Sequence, residues 1–371
     1  MPKNLVVCCD GMANEFARDH TNVLKLFSAL AQEPGRQLAI YHPGVGTMEA
    51  VGALTSTARG VTKLLGKAIG YGLETDIRDA YASVMEFHED GDRLFLFGFS
   101  RGAYTVRAVA SLLHMFGLVR RGQERLIPYA IRMMSALDRE DGWSPGRSRG
   151  AARRAFFEQA GRFKATFSDT ECEPHFVGVW DTVSSVGWID NPLKLPWTAN
   201  NPSIQIGRHA VSIDERRAFF RTNLWVPAEP PKRSGPTDLM QVWFPGAHSD
   251  VGGGYPERGL SEITLEWMMQ KAQAAGLKFD ASAVRAHAIR PDPLAKRHES
   301  KTGLYRLTPG SDRVIGLISK TSGSSEQALN ADPTQSVHES VLTRWDSDSE
   351  YRPPALRDYF KRTGDRRAND P

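Results

Sequence analysis

Cysteine is nearly absent: Cys8, Cys9 and Cys172 are the full complement of a 371-residue chain. Three thiols, two of them adjacent in an apolar run, exclude a disulfide framework and read as buried thiols in a reducing compartment. Excess charge is missing too. Lys and Arg total 47 against 43 Asp and Glu, a formal charge of +4, too small to predict nucleic-acid binding. No apolar run is long enough to span a bilayer, and MPKNLVVCCDG lacks the hydrophobic stretch of a signal peptide. The expectation is a chain made in the cytoplasm, without a transmembrane helix, with signal-independent export left open. Internal repeats, heptads and the tight ligand spacing of a zinc motif are also lacking, so neither a metal nor any other cofactor is expected.

What is present is a globular composition, 40% hydrophobic and 24% charged, and one stretch around which the rest is arranged. Leu94-Phe95-Leu96-Phe97 is a continuous apolar run, the signature of a strand covered on both faces. Gly98-Phe99-Ser100-Arg101-Gly102 follows directly, and Ala103 to Leu113 reads as a helix. A G-x-S-x-G between a buried strand and a helix is a nucleophile elbow, whose glycines let the turn lift the serine hydroxyl off the sheet. The Arg101 amide, at the helix N-terminus, then faces the place where an oxyanion would form.

Further strands are expected at Asn4–Cys9, Gln37–Tyr41, His175–Trp180 and Met240–Phe244, with helices at Val23–Gln32, Leu73–Glu89, Ile206–Phe220 and Ser261–Ala275. The stretch 50–72 reads as a soft helix or a flap. Strands alternating with helices predict an α/β fold, a mainly parallel doubly wound sheet with helices on both faces. A single domain over 1–371 is expected, with a basic insertion at 120–165 as lid or solvated helical pair, and a weakly patterned extension at 291–371. In such sheets ligands sit beyond the carboxyl ends of the strands, and Asp10, Ser100, Asp181 and His248 each fall just after a predicted strand.

A serine nucleophile needs a general base, and the base needs an orienting carboxylate. His248 lies on a glycine-flanked loop after a buried strand and is the preferred base, with His209 as a lesser candidate. Asp181 closes the strand HFVGVW and is the preferred acid, with Asp250 as its rival because it lies two residues from His248. The order Ser100, Asp181, His248 is the serine, acid, histidine order of α/β-hydrolases. Amides of the Gly11–Met12 turn are the second oxyanion donors, and Asp10 fixes that turn. Asp10, Asp181, His248 and Asp250 could instead converge as an oxygen and nitrogen metal site, the basis of a metal-dependent phosphoesterase alternative. A third alternative is a non-catalytic binding or scaffolding module on the same fold.

CDGMAN at 9–14, TNV at 21–23, YHPGVGT at 41–47, GFSRGAYTVR at 98–107, VWDTVSSVG at 179–187 and WFPGAHSDVGGGY at 243–255 occur in this order, with VHESVLTRW at 337–345 beyond them. Together they resemble an α/β-hydrolase family of uncharacterised domains that includes the class-one phospholipase effectors of type VI secretion. The resemblance implies a serine esterase or lipase with triad Ser100, Asp181 and His248. It further implies an ester or phospholipid substrate, and a carrier or immunity protein if the chain is a secreted effector; peripheral contact with an anionic membrane is expected instead from the arginines of the 120–165 insertion. Where the family usually has threonine this chain has Met12.

Overall fold

A computed structural model describes residues 2–11, 19–44, 58–140, 149–183, 187–188, 191–192, 195–217, 220–226, 236–301, 310–319 and 329–370. Its centre is a seven-stranded sheet built from β1 (Asn4–Cys9), β2 (Gln37–His42), β3 (Arg93–Phe99), β4 (Pro174–Trp180), β5 (Ile206–Ser212), β6 (Asp238–Phe244) and β7 (Gln335–Val337), in the spatial order β7-β6-β5-β4-β3-β1-β2. Every neighbouring pair is parallel. The helices are α1 (Asn22–Ala29), α2 (Ala58–Phe87), α3 (Arg101–Phe116), α4 (Ile127–Glu140), α5 (Arg149–Phe167), α6 (His248–Gly252), α7 (Gly259–Ala274), α8 (Ala281–Ala286), α9 (Glu339–Ser347) and α10 (Pro354–Thr363). This is the α/β, α/β-hydrolase-like architecture that the alternation of strands and helices predicts.

The two-residue period of the strands sorts the side chains into two layers. Leu5, Val7, Cys9, Leu94, Leu96, Val177 and Val179 face one side and pack with α2, α3, α4 and α5. Val6, Cys8, Phe95, Phe97, Phe99, Phe176 and Trp180 face the other and pack with α1 and α7. Both faces are dry, which is why these strands read as unbroken apolar runs. All three cysteines are free and buried, and burial raises each thiol above its ordinary value.

One expectation needs correction and two are sharpened. Ile206–Ser212 is the inner strand β5, not a helix. Its polar residues imitate helical spacing, yet they find partners far along the chain: Arg208 pairs with Asp238 at 2.6 Å on β6, and His209 accepts from the Thr182 amide just beyond β4. Second, α2 begins at Ala58, so 58–72 is helical; residues 50–57 lie outside the described residues. Third, the extension beyond 291, weakly patterned in sequence, nevertheless packs on the sheet. Ile315, Val341, Trp345, Tyr351, Leu356 and Phe360 form a third apolar cluster against Val211 and Trp243 of the sheet.

The basic insertion forms α4 and α5. Ile131, Met134, Ala160 and Phe163 are buried with α2 and α3, while Arg154 and Arg162 are exposed.

Candidate active site

The sheet reverses direction of growth at β1, which has β2 on one side and β3 on the other. A crevice above such a switch point is where these sheets hold ligands. Asp10 follows β1 and Ser100 follows β3 at the same edge of the sheet, since Cys9 is in register with Gly98.

Ser100 caps α3 with φ 56° and ψ −118°, a conformation that costs a side-chain-bearing residue about 1–3 kcal/mol. Both flanking glycines are required by close approach. A Cβ on Gly98 would lie 2.4 Å from the Gly102 carbonyl oxygen, and a Cβ on Gly102 would lie 2.1 Å from that of Cys9. The turn is therefore pressed against both its own helix and β1. The Ser100 amide donates to the Trp180 carbonyl at 3.1 Å, tying the elbow to β4. Arg101 opens α3 at its positive end, and its buried side chain pairs with Asp76 of α2 at 3.3 Å.

His248 opens the one-turn helix α6, where a loop was expected. Its imidazole lies 4.6 Å from the Phe99 ring, centroid to centroid, and 4.9 Å from the Phe220 ring. Phe99 immediately precedes Ser100, so the base candidate is held against the elbow. Nδ1 donates to Asp181 Oδ2 at 2.6 Å. With Nδ1 as donor, the neutral ring presents Nε2 as an acceptor. Asp181 is fully buried and also has a positive φ, 38°. Burial alone would raise its carboxyl, but the Arg313 guanidinium and His248 outweigh it and hold the carboxyl well below the usual carboxylate range.

Asp250 takes a different part from the one it was offered as rival acid. Its Oδ2 accepts from the Ala247 amide at 2.9 Å, and its Oδ1 pairs with His298 Nδ1 at 2.6 Å. It holds the α6 loop rather than His248. His209 is buried with Nε2 accepting from the Thr182 amide at 3.1 Å, and burial together with the Arg107 charge pushes its imidazole down to about 3. That makes it a neutral structural group. Asp10 accepts from the Gly11 amide at 2.7 Å, the Thr21 hydroxyl at 2.5 Å and the Tyr41 hydroxyl at 2.7 Å. The Gly11 amide is thus turned to Asp10, which corrects its assignment as an oxyanion donor; Met12 lies outside the described residues. Among the described residues no cluster of His, Cys, Asp and Glu has metal-binding form, and Asp10, Asp181 and Asp250 each spend their oxygens on N–H and O–H donors.

The TNV motif now has a physical reading. Thr21 caps α1 and bonds Asp10, while Asn22 Nδ2 donates to Val251 O, Ser261 O and Thr264 Oγ1 at 2.8–3.0 Å. It links the Asp10 turn to the His248 loop. Three neighbours of the imidazole carried no sequence signal. Arg313 forks onto Asp181, Phe220 meets the His248 ring edge-on, and Glu215 lies 3.4 Å from the His248 amide. Each comes from a segment that has no motif.

The chain is similar to several known proteins. It is 32% identical over 413 residues to an uncharacterized protein of Saccharomyces cerevisiae, YEL023C, covering 78% of this chain and spanning 59% of that relative's length. Among solved structures, an uncharacterized protein from Pseudomonas aeruginosa is 18% identical, with a TM-score of 0.46 over 79% of this chain and 50% of that one. A Tle1 effector bound to the VgrG spike of the type 6 secretion system is 17% identical, with a TM-score of 0.33 over 69% of this chain and 52% of that one. Residues 3–271 match the family described as T6SS, phospholipase effector Tle1-like, catalytic domain, and the chain belongs to that family.

Proposed function

We propose that this protein is a serine hydrolase cleaving the carboxylic esters of phospholipids or related lipids. The observation that carries the reading is the 2.6 Å bond from His248 Nδ1 to buried Asp181, beside an elbow that presents Ser100 at a positive φ. Ser100 Oγ attacks the ester carbonyl while His248 Nε2 takes its proton. As the tetrahedral intermediate collapses, the bond to the alcohol breaks and His248 returns the proton to the departing oxygen. Water then attacks the acyl-serine, again giving its proton to His248, and the carboxylic acid leaves as Ser100 is restored. Asp181 keeps the imidazole in the productive tautomer and stabilises the imidazolium. The Arg101 amide at the head of α3, with the amide of Met12, is the proposed oxyanion hole. Family membership supports the lipid class of the substrate.

The test is fluorophosphonate labelling and hydrolysis of short- and long-chain p-nitrophenyl esters by wild type, Ser100→Ala and His248→Ala. Labelling is expected to vanish in Ser100→Ala, and turnover to fall at least about 10⁴-fold in both variants. A folded wild type that neither labels nor hydrolyses any ester, with or without phospholipid vesicles, would overturn the proposal.

A further inference from the structure

We propose that Arg313, a residue of the C-terminal extension, is a positioning residue of the hydrolytic site, locking the Asp181 carboxylate and the Phe220 wall around His248. The inference rests on the triad reading above. Arg313 is nearly buried, 9% exposed, and lies well beyond residue 271, where the family match ends. Its Nη1 donates to Asp181 Oδ1 at 2.5 Å and its Nη2 to Asp181 Oδ2 at 3.0 Å. Nη1 also reaches the Ser212 carbonyl at 2.8 Å and hydroxyl at 3.0 Å, and Nη2 reaches the Phe220 carbonyl at 2.9 Å.

The geometry makes the guanidinium more than a counter-charge. Asp181 Oδ2 receives both His248 Nδ1 and Arg313 Nη2, while Oδ1 receives Nη1 and the Ser212 amide at 3.0 Å. A planar fork on both oxygens fixes the plane of the carboxylate, and that plane sets the direction from which Oδ2 accepts the imidazole proton. The same guanidinium holds the Phe220 carbonyl, and the Phe220 ring packs against the imidazole. One side chain therefore constrains two neighbours of the base.

The extension is built to deliver it. On one side the Ser311 amide donates to the Arg216 carbonyl at 3.0 Å and Asp312 pairs with Arg216 at 3.3 Å. On the other, Ile315 is fully buried in the third cluster, Arg362 of α10 donates to its carbonyl at 2.7 Å, and the Gly316 amide donates to Gln335 Oε1 at 2.9 Å. Arg313 sits between these two anchors.

A purely structural ion pair would need only the positive charge, whereas positioning needs the fork. Arg313→Lys separates the two, and Arg313→Gln removes both. In the full-length protein, folded Arg313→Lys, checked by thermal melting, should lose roughly 10- to 100-fold in kcat, the scale of a small misplacement of a catalytic group. Its KM should stay within about twofold, because ground-state binding is untouched. Arg313→Gln should lose more. The low-field proton NMR signal of the His248 Nδ1–H bonded to Asp181, assigned by its absence in His248→Ala, should shift or broaden in Arg313→Lys. A folded Arg313→Lys with wild-type kcat and an unmoved signal overturns the proposal. The NMR reading does not depend on turnover. If wild type proves inactive, a displaced signal still supports positioning of the Asp181–His248 pair, an unmoved one still overturns it, and the hydrolase reading fails separately.

Discussion

The segment from Asn4 to Trp180 and the extension beyond Pro291 meet at one carboxylate, yet they are written differently. The first announces itself. β1, β3 and β4 are apolar on both faces, and Gly98 and Gly102 are forced because a Cβ there would fall 2.4 and 2.1 Å from backbone oxygens. The extension is polar and irregular in sequence, but it supplies Ile315, Trp345 and Phe360 to a third cluster and Arg313 to Asp181. The difference teaches that sequence legibility follows local constraint. A strand buried on both faces, or a turn with no room for a Cβ, restricts its own residues. A segment whose few buried side chains are spaced by loops restricts only those side chains, and the pattern between them is lost.

The comparison predicts that the two regions stand or fall together. The sharpest test is Trp345→Ala. Trp345 is buried against the edge-on ring of Phe360, 5.0 Å away, with its indole N–H on Asp370. The substitution should cost about 3–5 kcal/mol in denaturant titration, the usual range for emptying a large aromatic site. Loss of ester hydrolysis should coincide with the unfolding transition. If the extension melts alone while hydrolysis persists, the extension is an appendage and the comparison breaks.

A smaller effect concerns β5, the strand that lies between the two regions. His209 is held neutral, its imidazole pushed down to about 3 from an ordinary value near 6.5. Above about pH 6.5 it is uncharged folded or unfolded and contributes no pH dependence. As pH falls from there toward 3 the unfolded chain gains a proton that the folded chain refuses. Stability is therefore lost at about 1.4 kcal/mol per pH unit from this group. His209→Gln, which keeps an acceptor for the Thr182 amide, should flatten the acid side of the stability curve measured by chemical denaturation. An unchanged slope between pH 6 and 4 would place the acid sensitivity elsewhere.

The smallest expected effect runs in the opposite direction. Ser100→Gly removes a Cβ from a residue at φ 56° and should stabilise the protein by about 1 kcal/mol while abolishing hydrolysis. No rise in melting temperature would mean that the elbow stores no strain.

Much of the candidate site was legible before any coordinates. Ser100, Asp181 and His248 each follow an apolar strand, and parallel sheets carry such residues to the same rim. The misses have physical causes. Ile206–Ser212 carries Arg208, His209 and Ser212 because these meet Asp238 of β6, the Thr182 amide beyond β4 and Arg313 of the extension, and a polar residue partnered at long range leaves no trace in local periodicity. The Gly11 amide was assigned to the oxyanion because it follows a strand, but Asp10 lies one residue away and claims it. Asp250 was weighed as triad acid on nearness in sequence, whereas its partner His298 is 48 residues further on.

The sequence by itself determined the α/β class, the strands buried on both faces, the elbow and the identity of the serine, histidine and acid candidates. Each depends on hydrophobic period, on glycine's freedom from a Cβ, or on position after a strand. Only the tertiary structure decided which carboxylate His248 meets, and that Arg313 of a polar C-terminal segment holds that carboxylate. Those are matters of hydrogen-bond direction between residues far apart in the chain, and direction exists only once the sheet has set their backbones in space.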